Sequence, residues 1–385
     1  MDIPAFNDAD ELSGKLRLAL EQAEAEARLR DAETPNRLNE DWRFGRPHVY
    51  ARALIEALES DQENCGRVTC QAPADCVEEQ ADDMRDGELR LRSIGSDKIL
   101  GLHLKRFGKG ICLCIDAVIA EPIVITYETD GVFTPSTVIL AAEGAKARII
   151  ERHLVRGNGL MVATRDIKAM AGADIALELE VCGETVQEND KPRAMNITNI
   201  AAMDAQVRQL TRYTGLDWAR EETVAEILHE HSSIELYSAN RLSGTQVLDQ
   251  HTRQIHSWGK ASSNLLYKNV VDGNATATFA GNIYVAPGAH ETDAYQANRN
   301  MLLSEDATIN SLPGLEILAD KVRCSHGSAS APMDDEQLFY LLSRGIPRHD
   351  AQMLVAEGFL ADAVNKFCAQ EGDGKSNAED SAEAE

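Results

Sequence analysis

At 385 residues, with 43% hydrophobic but only 5% aromatic side chains, the chain is too long for one ordinary compact core unless its body is built from stacked repeats. A formal net charge of −25 argues against nucleic acid or anionic membrane as a principal partner, because both are polyanions. The N-terminus, MDIPAFNDADEL, is acidic and lacks a secretory leader pattern, and no run reaches the roughly 18 apolar residues that span a bilayer. A cytoplasmic location is expected.

Residues 11–30 are rich in Ala, Leu, Glu and Arg and predict a helix. Asp41 to Tyr50 (DWRFGRPHVY) is turn-like and leads into a second helix over Val49 to Leu58. Cys65, Cys70 and Cys76 follow in a polar segment. They have two readings, a three-thiol metal site or a surface loop with incidental thiols. The spacing fits no common motif and no fourth ligand is apparent, so the loop is expected. The eight cysteines contain no C-x-x-C pair, and in a reducing compartment they are expected as free thiols. Residues 1–88 are read as an N-terminal helical region.

From Leu89 the character changes. Short β-branched runs take over at Val118 to Thr126, Thr137 to Leu140, Ala147 to Ile150, Ile175 to Val181, Leu265 to Val271 and Ala275 to Val285. Small-residue turns separate them at Gly144, Gly172, Asp204, Gly244, Gly259, Gly273, Gly288 and Asp306. The later turns recur roughly every 15 residues and the earliest at about twice that. Laying Gly259 on Gly273 matches Ala261 with Ala275, Leu265 with Phe279, and Val271 with Val285. Strands that repeat without intervening helices predict a mainly β fold with a parallel β-helix (solenoid) core over 89–327, flanked by N-terminal and C-terminal helical segments. A jelly roll or cupin-like barrel is the rival.

Several polar residues in this body are candidate ligands. His229 and His231 (HEH) would share one strand face, and His251 could meet His256 if the chain bends; a bonded or solvent-facing histidine is the simpler reading of each. Cys112 and Cys114 sit in an apolar run, ICLCI, and read as core. Cys182 is ambiguous, and Arg299 reads as structural. The broken apolar run Ile111 to Ile125 carries Asp116, Glu121 and Pro122. No P-loop or dinucleotide fingerprint is present, so no nucleotide is expected on this chain.

The most informative stretch runs from Leu315 to Phe359. Leu315, Ile317 and Val322 read as strand residues. A strand continuing to His326 puts Cys324 and His326 on one face, because side chains alternate with period 2, and Gly327 would end the run. A thiolate and an imidazole side by side are two metal ligands or a nucleophile with its base. A tetrahedral site needs four ligands, so others must come from elsewhere in the chain or from a partner. Asp334 then caps a helix, with Gln337 at capping-box spacing; Leu338, Phe339, Leu341 and Leu342 form its apolar face, and Gly345 with Pro347 stops it. A second helix carries Ala351, Leu354, Val355 and Leu360. Residues 328–369 are thus a C-terminal helical domain, and 370–385 an acidic, disordered tail.

The segment CSHGSASAPMDDEQLFYLLSRGI, with Ala351 and a following Gly358-Phe359, resembles the C-terminal signature of the SufB/SufD family of SUF iron–sulfur cluster assembly proteins. QANRNMLLSEDA upstream (Gln296 to Ala307) resembles it too. The CSHG form preceded by LEILADKV is closer to SufD than to SufB, which typically has an acidic EHEAT-like motif there. The resemblance implies a β-helix core and a non-catalytic scaffold that pairs with a SufB-like subunit and docks a SufC-type ABC ATPase. It implies ATPase docking around Asp334, Glu336, Gln337, Phe339, Tyr340, Arg344, Gly345 and Phe359. It also implies that Cys324 and His326 hold a transient iron–sulfur cluster or iron at a subunit interface. The cysteine of the R-C-D-S-like segment of SufB is absent here, with Asn298 near that position. An undifferentiated homodimeric scaffold, or a metal-dependent enzyme on a β-helix or cupin-like fold, are the alternatives.

Overall fold

The computed structural model describes residues 29, 32–36, 40–43, 49–60, 63–72, 77–80, 91–106 and 109–369. Its strands alternate between two sheets. The nine-stranded sheet holds, in order, β1 (Arg67–Gln71), β4 (Ile123–Thr129), β7 (Lys146–Arg156), β9 (Asp174–Glu184), β11 (Gln206–Thr214), β13 (Ser233–Leu242), β15 (Ser262–Val271), β17 (Asp293–Leu302) and β19 (Arg323–Pro332). The ten-stranded sheet holds β2 (Val77–Gln80), β3 (Lys109–Ile115), β6 (Pro135–Ala141), β8 (Leu160–Ala169), β10 (Arg193–Ala202), β12 (Trp218–Ile227), β14 (Val247–His256), β16 (Thr276–Val285) and β18 (Thr308–Ile317), with β5 (Val132–Phe133) beside β8.

From β4 and β3 onward, successive strands of each sheet pair in parallel. Ser233 of β13 lies beside Ser262 of β15, and Ser262 beside Asp293 of β17. One strand from each sheet completes a coil of about 30 residues, and about eight coils stack into a parallel β-solenoid. The recurrence of roughly 15 residues in the sequence is therefore half a coil. Gly259 and Gly273 lie at opposite edges of the stack, at the two ends of β15.

The inward faces alternate as period 2 demands. Ile149, Ile175, Leu177, Val207, Leu236, Leu265 and Phe279 fill a continuous core between the sheets. Asparagines pin its register from coil to coil: Asn240 donates to Asn269 (2.9 Å), Asn269 to Asn300 (3.1 Å), and Asn300 to Ser330 Oγ (3.2 Å).

Along one edge the turns stack through backbone bonds. The amide of Gly144 donates to Ala171 O, that of Gly172 to Asp204 O, and that of His231 to Lys260 O. The left-handed position in these turns is glycine only at first. Asp204, His231, Lys260, Glu291 and Lys321 take it later, with φ of 54°, 63°, 51°, 60° and 55°. That substitution explains why the glycine spacing in the sequence is irregular. It also corrects the reading of His229 and His231, which lie in a turn and not on a strand. Gly259 is required for a different reason. A Cβ there would meet His290 O at 2.1 Å, backbone of the next coil that cannot move aside.

The helices flank the solenoid. Trp42, in a short 3-10 turn (Glu40–Trp42), with α1 (Tyr50–Glu59) and α2 (Asp97–Arg106), covers the outer face of the ten-stranded sheet; Leu54, Leu58, Ile99 and Leu100 pack on Val162, Met195, Ile197 and Trp218. The helical reading of the first 88 residues does not hold for β1 and β2, which pair antiparallel with β4 and β3 and finish the N-terminal ends of the sheets. At the other end come α3 (Asp335–Ser343) and α4 (Arg348–Ala369), of which α4 lies on the outer face of the nine-stranded sheet. The helix expected over 11–30 (Leu29 excepted), Cys76 and the tail 370–385 lie outside the described residues.

Buried imidazoles give the fold a pH dependence, and burial lowers the pKa of His153, beside Glu151, in the same sense as the two that follow. His103 accepts or donates between Val162 O (2.9 Å) and Ser136 Oγ (3.0 Å), and His256 meets Ser263 Oγ at 2.8 Å. Burial pulls each from the usual 6.5 to about 4. Below 6.5 the unfolded chain takes up protons that the folded chain refuses. Their contribution is thus complete above 6.5 and is lost as pH falls towards 4, by about 3 kcal/mol per group. Asp166, pushed up by burial to about 6, acts in the opposite sense over a narrower range. The unfolding midpoint should drop by several degrees from about pH 7 to about pH 4.5, and His256→Gln should flatten the profile. A midpoint that holds level in wild-type protein would contradict this.

Candidate functional site at the open end of the solenoid

The stack stops at β18 and β19, each the last strand of its sheet. Among the described residues no further strand lies beside their outer edges, and no described segment covers the interior between them. The continuous strand expected from Leu315 to His326 is in fact two strands in different sheets, joined by a turn at 318–322. Gly327 does not end the run, which continues to Pro332.

Cys324 and His326 nevertheless share a face, and that face points inward. Cys324 stacks on Ala294 and His326 on Gln296, both buried interior residues of β17. Ser328 and Ser330 continue the same file, so the end of the core is a polar stripe of small side chains. Ser328 Oγ reaches across the opening to Ser311 Oγ of β18 (2.8 Å). The period-2 pattern C-x-H-x-S-x-S is the sequence signal of this file, and it extends past the Cys-x-His pair to Ser328 and Ser330.

The two side chains differ in setting. The Cys324 sulfur is half-buried at the rim of a small cluster with Ile283, Val285, Ala289 and Ala294. Burial raises its pKa, the carboxylate of Asp293 raises it further, and the Ala294 backbone hydrogen bond only partly offsets them. The thiol is therefore protonated at neutral pH and must lose its proton to bind metal. His326 is exposed. Among the described residues no group of three or more His, Cys, Asp or Glu side chains is placed to hold a metal ion. A thiol and an imidazole could supply at most half of a tetrahedral set. Apolar side chains at this end are exposed: Leu315, Ile317 and Leu318 on the β18 side, and Tyr295 on the outer face of β17.

The other candidate ligands are not brought together. His229 stacks on Trp258 with 5.9 Å between ring centroids, and His231 lies 3.9 Å from Asp204. His251 binds Asp249 (2.8 Å) on the outer face of β14, whereas His256 points inward on the same strand. Cys112 is buried, but in a small cluster with Val138 on the outer face and not in the central core. Cys65 is exposed and Cys182 half-buried.

The C-terminal pair begins where the sequence places it. Asp334 caps α3 by accepting from the Glu336 amide (2.8 Å), and Gly345 follows the helix with φ 83°. Its inward face is narrower than expected. Leu338 is buried, but Phe339 and Tyr340 are 72% and 57% exposed, because α4 covers one side only. Arg344 lies over the Tyr340 ring at 5.2 Å. Glu336 and Gln337 are exposed, and Phe359 is half-buried on α4.

Comparison with known proteins bears on this geometry. A family model described as the SUF system FeS cluster assembly SufBD core domain matches residues 124–359, well over half of the chain. The iron–sulfur cluster assembly protein SufD of Escherichia coli K12 is 31% identical over 227 residues, 57% of this chain and 52% of that protein. An iron–sulfur cluster assembly SufBD family protein of Synechocystis is 36% identical over 138 residues, 36% of this chain and 30% of its own length. One from Mycobacterium bovis is 32% identical over 176 residues, 44% of each chain. The matches thus span about half or less of these curated relatives.

Proposed function

The chain belongs to the SufBD family of the SUF iron–sulfur cluster assembly system, and on that premise we propose that it is a SufD-like scaffold subunit whose open solenoid end completes a cluster-building site with a second subunit. The observation that carries the reading is the end face itself. Two strand edges, an exposed apolar rim and an unfinished thiol–imidazole pair coincide there. A partner with a matching end would cover the rim and supply the missing ligands. A SufB-like subunit is that partner. Iron and sulfide are then cargo, held by Cys324 as thiolate and His326 as neutral imidazole, and released onward.

Asn298 supports a supporting role for this chain. It lies near the position where SufB carries its cysteine, and it is buried and donates to Tyr267 O (3.5 Å). The exposed Phe339, Tyr340 and Leu354 on α3 and α4 would dock a SufC-type ABC ATPase through apolar contact, with Glu336, Gln337 and Arg344 at the rim. Among the described residues no helix is long and apolar enough to cross a membrane.

Co-expression with a SufB-like subunit and a SufC-type ATPase, followed by size-exclusion chromatography and iron and sulfide analysis, tests the reading. The three chains should co-elute and carry both elements, and this chain alone should carry neither. A chain that remains apart from both partners would overturn the proposal. Self-association at twice the chain mass, with iron and sulfide bound, would replace it with a homodimeric scaffold.

A further inference from the structure

The helix α4 is built in two unlike halves. From Leu360 onward it lies on the solenoid: Leu360, Ala363, Val364 and Phe367 pack on Ala176, Leu210, Tyr237, Leu266 and Ala297, and the rings of Phe367 and Tyr237 meet edge-on at 6.3 Å. No residue before Leu360 belongs to that cluster. The first half instead supports α3 and carries exposed Leu354.

At the junction stand two features. Gly358 occupies the helix interior, where glycine is about 1 kcal/mol worse than alanine. Nothing lies within 4 Å of where its Cβ would be, so no close contact demands glycine there. One residue on, Lys268 rises from β15 with its ammonium buried beneath the helix. It donates to Phe359 O (3.1 Å), pairs with Asp362 Oδ2 (2.7 Å), and lies 4.5 Å from the centre of the Phe359 ring. Lys268 sits beside Arg299 in the ladder, and Arg299 sits beside Ala329 of β19, the strand that bears Cys324 and His326.

We propose that residues 358–362 are the hinge of the C-terminal helical pair, with Gly358 as its soft joint and Lys268 as the positioning residue that clamps the distal half of α4 to the solenoid. Movement of α3 and the first half of α4 is thereby separated from the body of the chain. If the ATPase docks on that pair, as the function above supposes, the hinge decides how much of its motion reaches β15, β17 and β19.

Hydrogen exchange read by mass spectrometry on the full chain tests this. In wild-type protein the amides of 348–358 should exchange at least tenfold faster than those of 360–369. Gly358→Ala should slow exchange across 355–362 about fivefold. Lys268→Met should speed exchange across 359–369 at least tenfold and leave the sheets unchanged. Asp362→Asn provides a milder version if Lys268→Met folds poorly. Uniform exchange along α4, or rates around Gly358 that do not respond to alanine, would overturn the joint. Unchanged protection of 359–369 in both clamp variants would overturn the clamp. In the three-chain complex, Gly358→Ala should keep the ATPase bound yet slow ATP-dependent cluster loading about fivefold. An ATPase that fails to bind the wild-type chain would reject the scaffold reading, while the exchange data would still decide the hinge.

Discussion

Chains with Cys324→Ala or His326→Ala should fold, join a SufB-like subunit, and lose about 10- to 100-fold in cluster loading. Folding is spared because both side chains stand at the open end of the core. His326 is exposed, and Cys324 touches its apolar cluster only at the rim. Removing either therefore leaves little cavity, and stability should change by less than about 1 kcal/mol. Loading suffers because a half-site with one ligand cannot make up a tetrahedral set with a partner that supplies two. Cys324→Ser is the sharper variant. It keeps the volume and the hydrogen bonding but replaces a soft ligand with a hard one, so it should behave like alanine. The raised thiol pKa adds a pH signature: loading should rise with pH above neutrality in wild-type protein as the sulfur ionises. Iron and sulfide analysis of the purified complexes reads all of these. Full loading by both alanine variants would remove Cys324 and His326 from the site.

Arg220→Met should cost about 3–5 kcal/mol of stability and loosen the N-terminal segment from the solenoid. Arg220 is fully buried on the outer face of β12 and ties four parts of the chain together. Its Nε donates to Glu222 (2.7 Å), Nη1 to both Asp249 and Asp41 O (3.1 Å), and Nη2 to Ile94 O (2.9 Å). The guanidinium also lies 4.0 Å from the ring centre of Trp42. Glu222 in turn accepts from the Ile94 amide (2.6 Å) and from Ser96 Oγ. Without the cation two carboxylates are left buried, and Asp249 keeps its 2.8 Å contact with His251 Nε2. Lysine is no substitute, since an ammonium cannot span both carboxylates and both carbonyls. Urea unfolding reads the loss. Arg220→Met and Arg220→Lys within about 1 kcal/mol of wild type would show that the cluster contributes nothing net. Combining Arg220→Met with Glu222→Gln and Asp249→Asn should recover part of the loss, because the stranded charges are gone.

Local pattern determined a good deal of this protein. Runs of β-branched residues punctuated by small turn residues, without intervening helices, specify stacked strands whatever their partners. The alternation at Cys324 and His326 puts them on one face, and Asp334 and Gly345 delimit α3, all from fewer than about a dozen residues of context. The tertiary structure decided which face looks inward. Cys324 is an end-of-core thiol because it stacks on Ala294, about 30 residues earlier, and parallel pairing at that distance leaves no local mark. The same distance hid the turn at His231, whose left-handed position is glycine in earlier coils, and the exposure of Phe339, which depends on where α4 lies. It hid Arg220 as well, whose partners at 41, 94, 222 and 249 meet only when separate segments pack against one coil. Propensity and periodicity act between near neighbours, whereas burial depends on the sum of contacts that a folded chain brings from far apart.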